Sequence, residues 1–289
     1  TGDINASGRT YVGWTWLAGG APTTDNISNG GSPGQTPTNN SVFRDGAAST
    51  TAFGSASIYP TRASINTTAG LSIVEYIGTG SNATLAHGLG AVPKMAWFRN
   101  RESAGNNLVV YHAGTGNTHC TFLDGTNAQT AVDRFQDTDP TNAVFSIDGT
   151  TDINKSTDEH VAYIFAEIAG YSKFGAYKGN GSSSAPPIIN LGFKPQFILL
   201  KNVDVARDWV IVDTARTPIN PIEEFLFMNL AIAEAARGSA SGSDYDMDLI
   251  SNGFRPITGD SAINGNGNTI LYLAFAEHPF AGTTPATAR

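Results

Sequence analysis

Five histidines, one cysteine and a run of alternating aspartates are the residues of this chain with the most chemistry to offer. His112, His119 and Cys120 lie close together in the sequence, and all three types bind zinc. Such a site wants paired ligands at short spacing and a second pair downstream, which His87, His160 and His278 do not provide. They are expected to be ordinary surface or sheet histidines, and no metal or cofactor site is assigned. Asp244, Asp246 and Asp248 alternate, so a strand would set them on one face where calcium could be attracted. The calcium loop of a helix-loop-helix site would need glycine at position 249 and glutamate at position 255, where the chain has Leu249 and Arg255. A solvated strand face is the expectation for these aspartates.

Glu167 and Glu277 each follow Phe-Ala and invite comparison with the carboxylate pair of a glycosidase. Such a pair must flank one bond at roughly 5 to 10 Å, whereas these two glutamates occupy equivalent positions of a repeat and are expected to be far apart. Structural hydrogen bonds at strand ends suit them better. No Gly-x-Ser-x-Gly elbow and no Ser/His/Asp order stands out, and the turn Gly179–Ser183 lacks the lysine of a phosphate-binding loop. No catalytic residue is assigned, and the protein is expected not to be an enzyme. Trp14, Trp16, Trp97 and Trp209 could stack on sugar rings, but all four fall within apolar strand patterns, where core packing is expected.

The element that would position all of these is a strand repeated three times. His160–Ile168 reads HVAYIFAEI, with Val161, Tyr163 and Phe165 alternating with smaller side chains, and Ile153 and Asn154 lie upstream across a polar turn. At the same offsets Ile263 and Asn264 precede Leu271, Leu273 and Phe275, and Ile4 and Asn5 precede Val12, Trp14 and Trp16. Period-two alternation is what a strand with one face in a core requires. Each copy reads as the closing hairpin of a domain. Leu71–Gly80 matches Ser172–Gly181, His87–Asn100 matches Ile189–Asn202, and Leu108–His112 matches Trp209–Asp213. Pro93 and Pro195, which cannot donate to a ladder, mark strand entrances. A short helix is expected over Ala231–Ala236.

The fold class expected is all-β: two tandem antiparallel β-sandwich, jelly-roll-like repeats at residues 70–170 and 171–282, with a tail at 283–289. A β-hairpin at residues 1–20 precedes them, read as the closing hairpin of a further domain. A lone hairpin is marginal in water, so Trp14 and Trp16 must find a sheet, in a longer chain or, as the lesser alternative, in another subunit. Between hairpin and repeats, residues 21–69 are rich in Gly, Ala, Ser, Thr, Asn and Pro and cannot bury enough surface to offset their own ordering entropy. They are expected to form an extended linker held by a neighbouring domain or subunit.

With 289 residues, 17 Lys plus Arg and 25 Asp plus Glu, the formal charge is −8 and no basic stripe is present, so nucleic acid is not an expected partner. A single cysteine rules out an intramolecular disulfide framework. No apolar run approaches the ~20 residues of a membrane-spanning helix, and membrane insertion is not expected.

Tyr11–Asn26, Ser64–Gly80, His87–Met95, Val161–Gly181 and Asn268–Phe280 together resemble a repeat family of virion proteins of marine tailed bacteriophages, of tail-fibre or receptor-binding-like type. The resemblance covers nearly the whole chain and transfers no functional residue. It implies a structural or adhesive virion protein, located in the extracellular particle as a tail fibre or capsid-attached fibre and involved in host-surface attachment. It further implies a homo-oligomer, with a trimer the first guess, contacts with other virion proteins and a host surface glycan or receptor as ligand. The alternatives are a strand-exchanging surface filament subunit, and a polysaccharide-active enzyme or carbohydrate-binding module.

Overall fold

The computed structural model describes residues 6–27, 32–236 and 245–276. In chain order the first repeat runs β1 (Val42–Arg44), β2 (Ala47–Ala48), β3 (Arg62–Asn66), β4 (Leu71–Ile77), β5 (Ala83–Ala86), β6 (Pro93–Asn100), β7 (Val109–His112), β8 (His119–Phe122), β9 (Thr130–Ala131), β10 (Val144–Ile147), the one-turn helix α1 (Thr151–Asn154) and β11 (Glu159–Ala166). The second runs β12 (Ser172–Lys178), β13 (Ile189–Asn190), β14 (Pro195–Asn202), β15 (Val210–Asp213), β16 (Glu224–Phe227), β17 (Ala235–Ala236), β18 (Met247–Ile250), β19 (Gly253–Pro256), the one-turn helix α2 (Ser261–Asn264) and β20 (Thr269–Ala276). The fold is all-β.

Each repeat pairs one large sheet with a small one. The first large sheet has the order β2-β1-β3-β4-β11-β6-β7-β8-β9 and faces the β10-β5 ribbon; the second has the order β12-β20-β14-β15-β16-β17 and faces β13-β19-β18. Strands β11 and β20 are central: β4 and β6 flank the first, β12 and β14 the second, all antiparallel. The chain enters β6 and β14 at Pro93 and Pro195, and the ladder slips at both prolines, since a residue without an N–H is tolerated at a strand entrance or bulge.

Because successive side chains point to opposite faces, the central strands serve two cores at once. On the first large sheet Val74, Tyr76, Phe98, Tyr111 and Ile164 face the small sheet together with Phe135 and Phe145. On the second, Ile198, Leu200, Val210, Val212 and Tyr272 do the same with Phe225 and Phe254. The intervening residues form a third core, in which Leu71, Met95, Val110 and Phe165 of the first sheet meet Phe197, Leu199, Trp209, Ile211, Leu273 and Phe275 of the second. Phe165 and Phe275 lie 6.5 Å apart, and the Trp209 indole N–H donates to the Phe122 carbonyl at 2.8 Å across the boundary. The two repeats are joined by a continuous apolar layer; burying one such side chain contributes about 1.5–3 kcal/mol.

The N-terminal region departs from expectation. Residues 42–66, read from composition as part of an extended linker, add three strands to the first large sheet: β3 pairs antiparallel with β4, and β1 parallel with β3. Their few apolar anchors suffice because they borrow an existing edge and core, Phe53 and Ile58 being buried with the first repeat. Asn26, also buried, holds the preceding loop through the Gly34 and Pro60 carbonyls at 2.9 and 3.0 Å. Residues 6–20, expected as a hairpin, form no strand; a turn at Ala6–Arg9 leads into extended chain. The expected helix over Ala231–Ala236 is absent too, and Ala235–Ala236 pair with β16. That run has helix-forming residues, but β16 offers them a sheet edge, and tertiary context overrides a weak propensity.

Candidate functional site

The feature both repeats build with most care is a polar knot where the closing strand begins. Tyr76 and Tyr177 send their hydroxyls to the carbonyls of Ile153 and Ile263, the third residues of the one-turn helices. Asn154 and Asn264 follow, both fully buried. Their Oδ1 atoms accept from the Thr79 and Asn180 N–H groups at 2.8 and 2.9 Å, and their Nδ2 groups donate to Ser81 and Ser182 carbonyls at 2.6 and 3.1 Å. Gly78 and Gly179 pass so close to the helix ends that an added Cβ would lie 2.1 and 2.4 Å from the Lys155 and Gly265 carbonyl oxygens. Burial pushes both tyrosine hydroxyls far above their ordinary pKa, so they serve as neutral donors. The knot explains the Ile-Asn pairs of the repeat: they fasten the turn preceding each central strand.

The histidines are likewise committed to structure. His87 is buried, its Nε2 paired with the Thr141 carbonyl at 3.2 Å and its Nδ1 accepting from the Leu89 N–H. His112, 1% exposed, places Nε2 3.2 Å from the Tyr272 carbonyl of the second repeat, and Nδ1 accepts from the Gly114 N–H at 2.9 Å. Each ring therefore holds one proton, on Nε2, and desolvation lowers both pKa values to about 4. His160 stacks on Tyr76 at 5.2 Å, with its pKa lowered by burial. Cys120 is buried in the first core, its thiol pushed up to about 11 by desolvation, a poor nucleophile. His119 is half-buried with Nδ1 near the Thr118 hydroxyl, and among the described residues His, Cys, Asp and Glu nowhere gather in a group of three that could hold a metal ion.

The aspartate run divides. Asp248 pairs with Arg255 of the neighbouring strand at 2.7 Å, while Asp246 precedes β18 and is buried rather than solvated; Asp244 lies outside the described residues. Glu167 accepts from the Phe174 N–H at 3.4 Å in the turn after β11; Glu277 and His278 lie outside the described residues.

One cation stands apart. Lys201, fully buried at the end of β14, donates to the Thr126 carbonyl of the first repeat at 2.9 Å and to the Arg207 carbonyl, with Trp209 5.8 Å from its ammonium. Desolvation lowers its pKa to about 8.

Two of the solvent-facing concavities lined by described residues stand out. A groove of about 280 Å³ is lined by Asp25, Arg62, Glu75, Arg101 and Glu159, whose charges pair within it: Arg62 with Asp25 at 2.6 Å, and Arg101 with Glu75 and Glu159 at 3.3 and 3.1 Å. The other, about 230 Å³, opens at the rim of the shared core between Trp14, Trp16, Tyr171, Phe197 and Asp213, with Gln196 exposed at its edge. Trp14 and Trp16 stand edge-on to Phe197 at 5.3 and 5.5 Å. This cleft is the best candidate for contact with another molecule, since it combines half-buried aromatic rings with an exposed amide and a hydroxyl from Thr15. Sequence reasoning placed the four tryptophans in cores. Trp209 is there, whereas Trp14, Trp16 and Trp97 remain half-buried against the shared core. The alternation around Trp14 and Trp16 was a visible signal, but the surface that receives them belongs to the second repeat and leaves no mark nearby in sequence.

Comparison with curated proteins and with solved structures gave no significant match. A family model described as a domain of unknown function, DUF7483, matches residues 34–279, which takes in both repeats and the added strands β1–β3. On that match the chain belongs to the DUF7483 family.

Proposed function

We propose that the protein is a structural and adhesive component of a tailed-bacteriophage virion, a tail fibre or capsid-attached fibre that contacts the host surface. The observation carrying this reading is that the described side chains best able to do chemistry are bound into the fold. His87, His112 and Cys120 are buried with lowered or raised pKa values that remove them from acid–base or nucleophilic work near neutral pH. What faces solvent is a repeat-built scaffold with an aromatic cleft, which suits contact rather than turnover. The resemblance to phage virion repeats supplies the setting, a particle exposed to the outside, with a host glycan or receptor as ligand and other virion proteins and further copies of the chain as neighbours.

The test is attachment. Fluorescently labelled protein is added to intact cells of a bacterium sensitive to a phage carrying this protein, and antibodies against it are applied to purified particles for electron microscopy. Saturable binding to sensitive but not resistant cells, with label on a fibre or appendage, is expected. Release of soluble sugar from host polysaccharide by the purified protein would overturn the reading in favour of an enzyme.

A further inference from the structure

Residues 11–18 have the alternation of a strand without the ladder. Val12, Trp14, Trp16 and Ala18 are half-buried while Tyr11, Gly13, Thr15 and Leu17 are exposed, yet no β-bridge is formed anywhere along the stretch. From Val12 to Trp16 no backbone hydrogen bond is made among the described residues; the first anchors are the carbonyls of Leu17, Gly19 and Gly20, taken by Asn66, Gly46 and Ser64. What fixes the stretch is its inward face. Trp16 lies 5.5 Å from Phe197 and 5.4 Å from Phe275, inside the same layer that Phe165 and Phe275 share.

Those three rings occupy equivalent places in the repeat, since Trp14 and Trp16 stand where Tyr163 and Phe165, and Leu273 and Phe275, stand in the two complete copies. In both complete copies that strand is central, hydrogen-bonded along both edges. Here neither edge is hydrogen-bonded from Val12 to Trp16 among the described residues.

We infer that residues 11–18 are the central strand of a third sheet, docked on the shared core, whose two flanking strands are supplied by another repeat of the same family that lacks a closing strand of its own. The chemistry of the partner follows from the complete copies: on one edge a strand like Leu71–Ile77, on the other a proline-entered strand like Pro93–Asn100. A row of unpaired N–H and C=O groups is a template for such addition, and main-chain bonds supply the affinity. The stretch from Thr10 to Gly20 is uncharged, so nothing on it repels an apolar strand. The register also assigns the edges. Thr15 corresponds to Ile164 and Ala274, which lie opposite Ser72 and Lys173. The Gly78 N–H to Asp158 carbonyl and Ala166 N–H to Gly70 carbonyl bonds, both an even number of residues from Ile164 and so in phase with it, aim these positions at the β4-type neighbour.

Hydrogen exchange read residue by residue tests this with a blocked synthetic peptide of sequence Leu71–Gly78 as probe and a scrambled peptide as control. In the chain alone the amides of Gly13, Thr15 and Leu17 are expected to exchange at nearly the rate of an unstructured peptide. The probe should slow them about tenfold or more, and the scrambled peptide should not. A Thr15→Pro variant removes one donor from that edge and should abolish the effect. Its unfolding midpoint should match that of the wild type, because no internal hydrogen bond is lost. No slowing by the probe, or equal slowing in Thr15→Pro, would overturn the inference. So would amides already protected in the chain alone at micromolar concentration together with a dimeric mass, which would make a second copy the partner.

Discussion

Acid should weaken this fold well before its carboxylates begin to titrate, and His112 is the residue through which to measure it. In the folded protein its pKa falls from 6.5 to about 4 because the ring is buried, and the Tyr272 carbonyl that accepts from Nε2 offsets only part of that fall. The folded state then binds fewer protons than the unfolded chain between those two values. Stability is fully present above about pH 6.5 and declines as pH falls toward 4. At ~1.36 kcal/mol per pH unit the loss is about 3 kcal/mol for this histidine, and His87, lowered to about 4 for the same reason, contributes a similar amount. Against a total stability of about 5–15 kcal/mol, the pair should bring the protein close to unfolding at pH 4. Urea unfolding followed by tryptophan fluorescence at pH 7, 6, 5 and 4.5 gives the slope. A His112→Gln variant keeps a donor for Tyr272 and an acceptor for Gly114 but cannot take a charge. Its slope over that range should be shallower by about one proton, near 1.4 kcal/mol per pH unit. An unchanged slope in the variant, or a flat profile in the wild type, would refute the assignment of a neutral buried imidazole.

Three further outcomes follow from the cores and the knots. Lys201 should act in the opposite pH range: its pKa is lowered to about 8 from 10.5, so the unfolded chain holds the extra proton between those values and stability should rise from pH 8 toward 10; the rise should vanish in Lys201→Met, as measured by urea midpoints. Asn264→Ala leaves the Asn180 N–H and the Ser182 and Thr258 carbonyls without their buried partner and should cost about 2–4 kcal/mol, whereas Tyr177→Phe, losing one bond, should cost about 1–2 kcal/mol. Leu273→Ala, in the shared core, should cost about 2–5 kcal/mol and lower a single calorimetric transition; two separable transitions would show that the repeats unfold independently.

Much of this architecture is written in local patterns. Alternation at Val161, Tyr163 and Phe165 and at Leu271, Leu273 and Phe275 gives the central strands, Pro93 and Pro195 give strand entrances, and the recurring Ile-Asn pairs mark the turns that the knots secure. What could not be read locally is where a face goes. Tyr163 and Phe165 carry the same signal whether their side of the sheet meets solvent, its own sandwich or the next repeat, and the rings that meet Phe165 there, Phe174 and Phe275, come from the first and last strands of that repeat. Residues 42–66 failed for a related reason: composition reports what a segment can bury alone, not the edge of β4 that it is offered. Of the candidate cleft, the tryptophans were legible, but the wall formed by Phe197 and Asp213 was not.

A central strand that feeds two cores also restricts what substitutions and additions the scaffold tolerates. Along β20, Ile270, Tyr272 and Ala274 belong to the second repeat's own sandwich while Leu273 and Phe275 belong to the layer shared with the first. A one-residue slip in register would exchange the two sets and spoil both cores together, which gives the polar knot a reason beyond its own hydrogen bonds. By pinning Ile263 and Asn264 to Tyr177, Asn180 and Ser182 immediately before β20, it fixes the phase of the strand. The first repeat does the same before β11 with Tyr76, Thr79 and Ser81. Each added repeat must then present one face to itself and one to its neighbour, so a longer array would gain stability at every junction as repeat proteins do. The exposed ends of such an array are where unpaired strands and aromatic clefts remain open to other molecules.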